Sequence, residues 1–109
     1  MTDVTIIKSK NGEYKRILCK GHAGYAQAGN DIVCSAVSIL VINTLNSLDE
    51  LTNAPMEVNS DEDMGLIDCQ FTGILDAGSI LLLDSMVFGL KNVVSEYGKK
   101  YLKLKFKEV

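Results

Sequence analysis

The segment from residue 32 to residue 48 is the part of the chain that most restricts the fold. Its apolar residues occupy most of the circumference of a helix, and they are Ile32, Val33, Ala36, Val37, Ile39, Leu40, Val41, Ile42, Leu45 and Leu48. A helix that is apolar nearly all round is buried on more than one side. We therefore expect this helix to lie between a sheet and a further element, which is either a second helix or a partner subunit.

Signals for two hairpins flank this helix. The first hairpin joins residues 4–9 to residues 14–19 through Asn11-Gly12, a dipeptide that favours a tight turn because both of its positions need positive φ. The second hairpin is predicted over residues 56–60 and 66–71, with an acidic turn between them. Four strands are therefore expected, two on each side of the helix in the sequence.

A second helix and a last strand complete the predicted domain. The helix runs from Asp76 or Ser79 to about Tyr97, with apolar residues spaced three and four apart. Residues 101–107 alternate between apolar residues and lysines, as a half-buried strand does, and we interpret the lysine side as a solvated strand face. The order strand–strand–helix–strand–strand–helix–strand predicts one α+β domain over residues 1–109. Its sheet is expected to be small and mostly antiparallel, with two helices packed on it.

Composition and charge limit the class of protein. The 109 residues include 14 acidic and 11 basic side chains, and a net charge of −3 argues against a nucleic-acid binder. The first ten residues lack the pattern of a secretory signal, and no apolar run approaches the roughly 18–20 residues that span a bilayer. Cys19, Cys34 and Cys69 are widely spaced and odd in number, which favours reduced thiols in the cytoplasm. We expect a cytoplasmic protein without direct contacts to nucleic acid or membrane.

Residues 21–38, GHAGYAQAGNDIVCSAVS, contain the single histidine of the chain and a cysteine near the predicted helix start. If Asp31 caps the helix, Cys34 is its third residue, where unpaired backbone N–H groups favour a thiolate and can donate to an oxyanion. His22 is the available base, and the glycines between them allow the loop to fold back toward the sulfur. One interpretation is therefore a cysteine–histidine reaction centre.

Three other interpretations stay open on spacing alone. Cys34 also fits a small buried hydrophobe, as Cys19 and Cys69 do in their predicted strands. The glycine-rich loop before a helix suggests a phosphate site, but it lacks the GxGxxG spacing and a Walker lysine, and Asp31 would repel an anion. The three cysteines and His22 have the ligand count of structural zinc, although only Cys19 and His22 form a close pair. We predict no metal and no cofactor.

The stretch Gly21-His22-Ala23, followed by GNDIVCSAVS at residues 29–38, resembles the signature of the ribosomal-processing cysteine protease family, Prp. That signature is a GH pair, a short glycine-bearing loop and D-I-V-C-x-x-x-S at the start of a long apolar helix. The resemblance implies a cytoplasmic bacterial endopeptidase that acts as a homodimer. Its implied substrate is a large-subunit ribosomal protein, the twenty-seventh, from which it removes a short N-terminal extension.

The resemblance also assigns roles to the matching positions. It implies that His22 is the general base and Cys34 the nucleophile, with Asp31 and Ser38 in supporting positions near the reaction centre. For Asp31 we favour orientation of His22, with Asn30 as the helix cap. Ser38 either bonds the carbonyl four residues earlier or contacts the substrate or a polar group near the sulfur. The alternative function is a non-catalytic ribosome-associated module of the same fold that only binds the segment.

Overall fold

The computed structural model describes residues 2–21, 28–61 and 63–109, with the backbone alone for residues 28–31. Its elements are, in chain order, β1 (Thr2–Lys8), β2 (Tyr14–Lys20), α1 (Ala28–Leu51), β3 (Met56–Asp61), β4 (Leu66–Phe71), α2 (Ala77–Tyr97) and β5 (Leu102–Glu108). The strands form one sheet in the order β3-β4-β2-β1-β5. Only β1 and β5 pair in parallel, and the other neighbours are antiparallel. The predicted α+β class, element order and mostly antiparallel sheet are confirmed.

The first hairpin turns through a longer loop than the sequence predicts. The amide of Gly12 donates to the Ser9 carbonyl at 2.9 Å, and the amide of Ser9 donates to the Glu13 carbonyl at 2.8 Å. Gly12 has a φ of 82°, whereas Asn11 does not have a positive φ. The expectation of positive φ at both positions is wrong for Asn11, because a turn followed by one left-handed glycine closes the hairpin instead.

The second hairpin turns slightly later than predicted, since Asp61 still belongs to β3. A side-chain oxygen of Asp61 accepts hydrogen bonds from the amides of Asp63 (3.0 Å) and Met64 (3.3 Å), which holds the turn. Gly65 completes the turn with a φ of 61°. Asp61 thus holds the turn, and Gly65 supplies the left-handed conformation that leads into β4.

The hydrophobic core lies between one face of the sheet and the two helices. Neighbouring strands place buried side chains opposite each other on this face, for example Val4 with Cys19 and Ile6 with Ile17. The helices cover this face with buried side chains, which are Val33, Val37, Val41, Leu45 and Leu48 from α1 and Leu83, Met86, Val87 and Leu90 from α2. Burial of these side chains removes apolar surface from water, which is the main stabilising term for such a domain.

The long helix α1 contacts both β1 and α2, as its apolar circumference predicts. One side of α1 nevertheless stays open to solvent, because Ile32 is 56% exposed and Ile39 is 67% exposed. The segments Ile32–Leu51 and Ala77–Tyr97 are also long and apolar enough to cross a bilayer by length and composition alone. The sequence expectation missed this because it counted unbroken apolar runs. The core helix of a globular protein passes the same test, and both helices contribute to this core.

The second helix, α2, begins and ends at the residues that the sequence indicates. A side-chain oxygen of Asp76 accepts from the Ser79 amide at 2.7 Å, so Asp76 is the N-cap. This hydrogen bond lowers the pKa of the Asp76 carboxyl. Gly98 ends the helix with a φ of 89°, and its amide donates to the Val94 carbonyl at 2.8 Å. A β-carbon is disfavoured at such a φ, which explains a glycine at this helix end.

Candidate active site

A groove of about 360 Å³ lies between α1 and the β3–β4 side of the sheet. It is open because the helices pack against β1 and β5, while β3 stays exposed along nearly its whole length. Helix α1 lines one wall with Cys34, Ser38 and Ile42, and the sheet lines the other wall with Val58 and Ile67. The helix that carries the predicted nucleophile thus forms one side of an open, mostly apolar channel.

Cys34 and Ser38 both line this groove, one helical turn apart. Their shared face confirms what the spacing of four residues predicts. Each side chain is half-buried, so each is reachable from the groove. Thr44 on the same helix donates its hydroxyl to the carbonyl four residues earlier at 2.7 Å. Among the described residues Ser38 does not make the equivalent bond, and its hydroxyl remains available to the groove.

The end of β2 brings the chain against the sulfur of Cys34. A β-carbon built on Gly21 would lie 3.5 Å from the Cys34 sulfur and 3.5 Å from the Thr2 hydroxyl. Gly21 is the first residue of the GH pair, and His22 follows it directly in the sequence. His22 itself and the side chain of Asp31 lie outside the described residues. The pairing of His22 with Cys34 and the orienting role of Asp31 therefore stay predictions.

The start of α1 differs from the prediction and changes the account of Cys34. The helix begins at Ala28 instead of Ile32, so Asn30 and Asp31 lie inside it and neither is the N-cap. Cys34 is then the seventh helical residue, in the second turn, where its amide pairs with the carbonyl four residues earlier. Unpaired N–H groups and the helix field are confined to the first turn. The predicted oxyanion donation and thiolate stabilisation by a first-turn Cys34 amide are therefore wrong.

Gly65 is a site residue that sequence reasoning missed. The amide of Gly21 donates to the Gly65 carbonyl at 3.0 Å, which continues the β2–β4 ladder beyond Lys20 and Leu66. A β-carbon at Gly65 would overlap the Gly21 carbonyl oxygen, well inside van der Waals contact. Gly65 also has a φ of 61°, which favours glycine. Gly65 thus allows the close approach that places Gly21 beside Cys34.

Cys19 also lines the groove, although the sequence analysis considered it only as a small buried residue or a zinc ligand. It is 4% exposed, and burial raises its pKa to about 11, with a smaller contribution from the charge of Cys34. Cys69 does not line the groove, and its sulfur lies 3.9 Å from the Met56 sulfur. Burial raises the pKa of Cys69 to about 12. Both thiols stay protonated near neutral pH.

The alternative metal interpretation needs Cys19, Cys34 and Cys69 together with His22. Cys69 does not line the groove shared by the other two cysteines, and no group of three or more His, Cys, Asp or Glu within the described ranges could hold a metal ion. The alternative phosphate loop spans residues 21–30 and lies largely outside the described residues. Neither alternative gains support from the geometry.

Comparisons with known proteins decide the family. A sequence profile of the family described as Cysteine protease Prp matches residues 1–103. This chain belongs to that family. A Staphylococcus aureus protein named ribosomal processing cysteine protease Prp is 25% identical over 107 residues, covering 98% of this chain and 100% of the relative. A Bacillus subtilis protein of the same name is 27% identical over 101 residues, covering 89% of this chain and 90% of the relative.

A solved structure supports the same assignment. The S. aureus Prp structure with a covalently linked product peptide matches with a TM-score of 0.86 and 25% identity, over 98% of this chain and all of that chain. The suspected Prp resemblance is therefore confirmed, and the chain is a cysteine protease. Family membership favours this catalytic interpretation over the non-catalytic binding module of the same fold.

Proposed function

We propose that this Prp family member is an endopeptidase that removes the short N-terminal extension of a bacterial large-subunit ribosomal protein, the twenty-seventh. The observation that carries the proposal is the open groove of α1, in which Cys34 lies against the chain segment that leads to His22. The relatives named as ribosomal processing proteases support the substrate class. An extended peptide matches a channel that is walled by a helix on one side and a sheet on the other.

In the proposed mechanism, Cys34 is the nucleophile and His22 the general base. The sulfur of Cys34 attacks the scissile carbonyl carbon while His22 takes the thiol proton, and His22 then gives this proton to the leaving amine. The acyl group remains on Cys34 as a thioester, and water activated by His22 hydrolyses it. Asp31 keeps its proposed role of orienting His22.

Ser38 is proposed to contact the substrate or its oxyanion. The amide of Cys34 is committed to the helix, so a donor to the developing charge has to come from another group. The Ser38 hydroxyl lines the groove one turn from the sulfur and is not used by the helix backbone among the described residues. Loss of one oxyanion donor typically lowers the rate by about 10²–10³-fold.

We also propose that the protein works in the cytoplasm as a homodimer. The cytoplasmic assignment rests on the odd number and wide spacing of the three cysteines, which do not form the disulfide framework typical of small exported domains. The dimer is supported by large apolar side chains on the outer helix surfaces, since Ile39 is 67%, Leu81 69% and Phe88 68% exposed. Sedimentation equilibrium tests the dimer, and a concentration-independent monomer mass would contradict it. No nucleic acid, membrane or cofactor is part of the proposal.

The decisive experiment is cleavage of the extended ribosomal protein by the purified enzyme, followed by intact mass. Wild type is compared with Cys34→Ala, Ser38→Ala and Cys69→Ala. Cys69→Ala is the matched control, because it removes a buried thiol outside the groove. We expect cleavage by wild type and Cys69→Ala, slower cleavage by Ser38→Ala, and none by Cys34→Ala. Continued cleavage by Cys34→Ala would remove Cys34 from the mechanism, and tight binding without cleavage by wild type would favour the binding module.

A further inference from the structure

We propose that Cys19 is a resolving cysteine, which reacts with a Cys34 sulfenic acid to form a reversible disulfide across the groove. The proposal rests on the proposed function, since it needs Cys34 to be the reactive thiol. It assigns a modification site to a residue that the protease mechanism does not use. The oxidant is a peroxide, which attacks accessible thiolates before buried thiols.

The first argument is position. Cys19 and Cys34 come from different elements, β2 and α1, and line the same groove. Gly21, two residues after Cys19, lines the same groove, and a β-carbon built on it would lie 3.5 Å from the Cys34 sulfur. Positions two apart on a strand are spaced about 6.6 Å. Cys19 therefore lies at the same end of β2, and on the same groove, as the Gly21 backbone beside the Cys34 sulfur.

The second argument is the electrostatic influence of Cys34 on Cys19. The charge of Cys34 contributes to the raised pKa of Cys19, so the two groups are close enough to influence each other. Cys34 is half-buried and Cys19 is only 4% exposed. A dissolved peroxide therefore reaches Cys34 first. Burial shields Cys19 from the peroxide itself, so Cys19 reacts only with an oxidised sulfur next to it.

The chemistry balances with the peroxide as the only additional reactant. The Cys34 thiolate attacks one peroxide oxygen, the O–O bond breaks, and hydroxide leaves while sulfenic acid remains on Cys34. The Cys19 sulfur then attacks the Cys34 sulfur, the S–S bond forms, the S–O bond breaks, and the oxygen leaves as water with the Cys19 proton. The two thiols lose two electrons together, and the peroxide gains them.

The disulfide would inactivate the protease and protect it from irreversible oxidation. A disulfide holds two α-carbons within about 4.4–6.8 Å, so it ties α1 to β2 across the groove and leaves Cys34 without a thiol to attack the substrate. Substrate is then excluded, and the sulfur cannot proceed to sulfinic acid. A dithiol reductant restores both thiols and the open groove.

The test is peroxide treatment of the whole protein at pH 7 and pH 9, followed by alkylation and peptide mass mapping. Wild type and Cys69→Ala are expected to give a cross-linked Cys19–Cys34 peptide and to regain activity with dithiol. Cys19→Ala and Cys19→Val are expected to give sulfinic acid at Cys34 without recovery. Because the pKa of Cys19 is about 11, its thiolate fraction rises about tenfold per pH unit, and the cross-link should form faster at pH 9. Circular dichroism serves as the control for folding, and the comparison uses a Cys19 variant that it shows to be folded.

The remaining outcomes overturn the inference in distinguishable ways. Sulfinic acid at Cys34 in wild type, at the rate seen in Cys19→Ala, would remove the resolving role and leave the protease mechanism intact. A disulfide from Cys34 to Cys69, or between two chains, would also refute it. A Cys34 thiol that is not oxidised by peroxide would refute the resolving role as well. Cleavage of the extended substrate by untreated protein then decides separately whether the proposed function stands.

Discussion

The substitution Gly65→Ala tests the close approach that places Gly21 beside Cys34. At Gly65 an added β-carbon overlaps the Gly21 carbonyl oxygen, and the φ of 61° disfavours any side chain. Gly12 provides a matched control in the same chain, because it has a φ of 82° and nothing within 4 Å of an added β-carbon. Both substitutions place alanine in the strained left-handed conformation, which lowers stability. Only Gly65→Ala also forces two backbone segments apart.

The expected magnitudes follow from these two contributions. Left-handed strain on alanine costs about 1 kcal/mol, so Gly12→Ala should lower the free energy of unfolding by about that amount. Relief of the overlap at Gly65 needs a separation of about 1 Å, which breaks the hydrogen bond from Gly21. Loss of that bond adds about 0.5–1.5 kcal/mol. We therefore expect Gly65→Ala to cost about 1.5–2.5 kcal/mol, with a Tm lower than that of Gly12→Ala by roughly 2–8 °C.

Activity separates the two variants more strongly than stability. A shift of about 1 Å in Gly21 moves the segment that lies beside the Cys34 sulfur, and such misplacement can lower catalysis by about 10²-fold. The assays are urea unfolding and cleavage of the extended substrate under conditions where both variants are folded. Equal unfolding free energies for the two variants, together with full activity of Gly65→Ala, would refute the contact between Gly65 and Gly21.

Three shorter predictions concern the groove thiols and a helix cap. Gly21→Ala should fold normally because its β-carbon makes only ordinary contacts. Gly21→Val should cover the Cys34 sulfur and so slow both its alkylation and substrate cleavage. Equal alkylation rates for Gly21→Val and wild type would contradict this. Iodoacetamide at pH 7.5 should label Cys34 before Cys19, and the labelling rate of Cys19 should rise about tenfold per pH unit until it levels off above about pH 11, as peptide mapping can measure. Asp76→Ala should lower the Tm at neutral pH, because the lowered pKa of Asp76 means that its carboxylate stabilises the fold above the ordinary value of 3.8. This stabilisation is lost as the pH falls through the lowered pKa, so the Tm difference should shrink in acid, and a constant difference would argue against the cap.

Local patterns explain why most of the fold was predictable from sequence. The alternation in β5 and the three-and-four spacing in α2 depend on neighbours within the same element, and both elements formed as expected. The parallel pairing of β1 with β5 was not predictable in this way. It depends on where the crossover through α2 returns the chain, which is a property of the whole sheet.

The candidate site was likewise predictable where it depends on local spacing and unpredictable where it depends on the assembled sheet. The shared face of Cys34 and Ser38 follows from helical spacing alone, and the structure confirms it. The helix start was predicted too late because Asn30 and Asp31 are strong cap residues locally, although the helix already begins at Ala28, two residues before Asn30. The sequence around Gly65 indicates a turn and nothing more. Its role at the site arises only because the pairing of β2 with β4 brings Gly65 next to Gly21.

The place of Cys34 in the second turn of α1 changes what has to activate it. The first-turn amides do not reach it, and no lysine or arginine lines the groove among the described residues. A thiolate there needs a positive partner, and the imidazolium of His22 is the group that the sequence offers. We therefore expect His22→Ala to remove thiolate formation as well as base catalysis. Alkylation of Cys34 near pH 7 should slow together with cleavage, and a His22→Ala variant that alkylates at the wild-type rate would show that the sulfur is activated by another group.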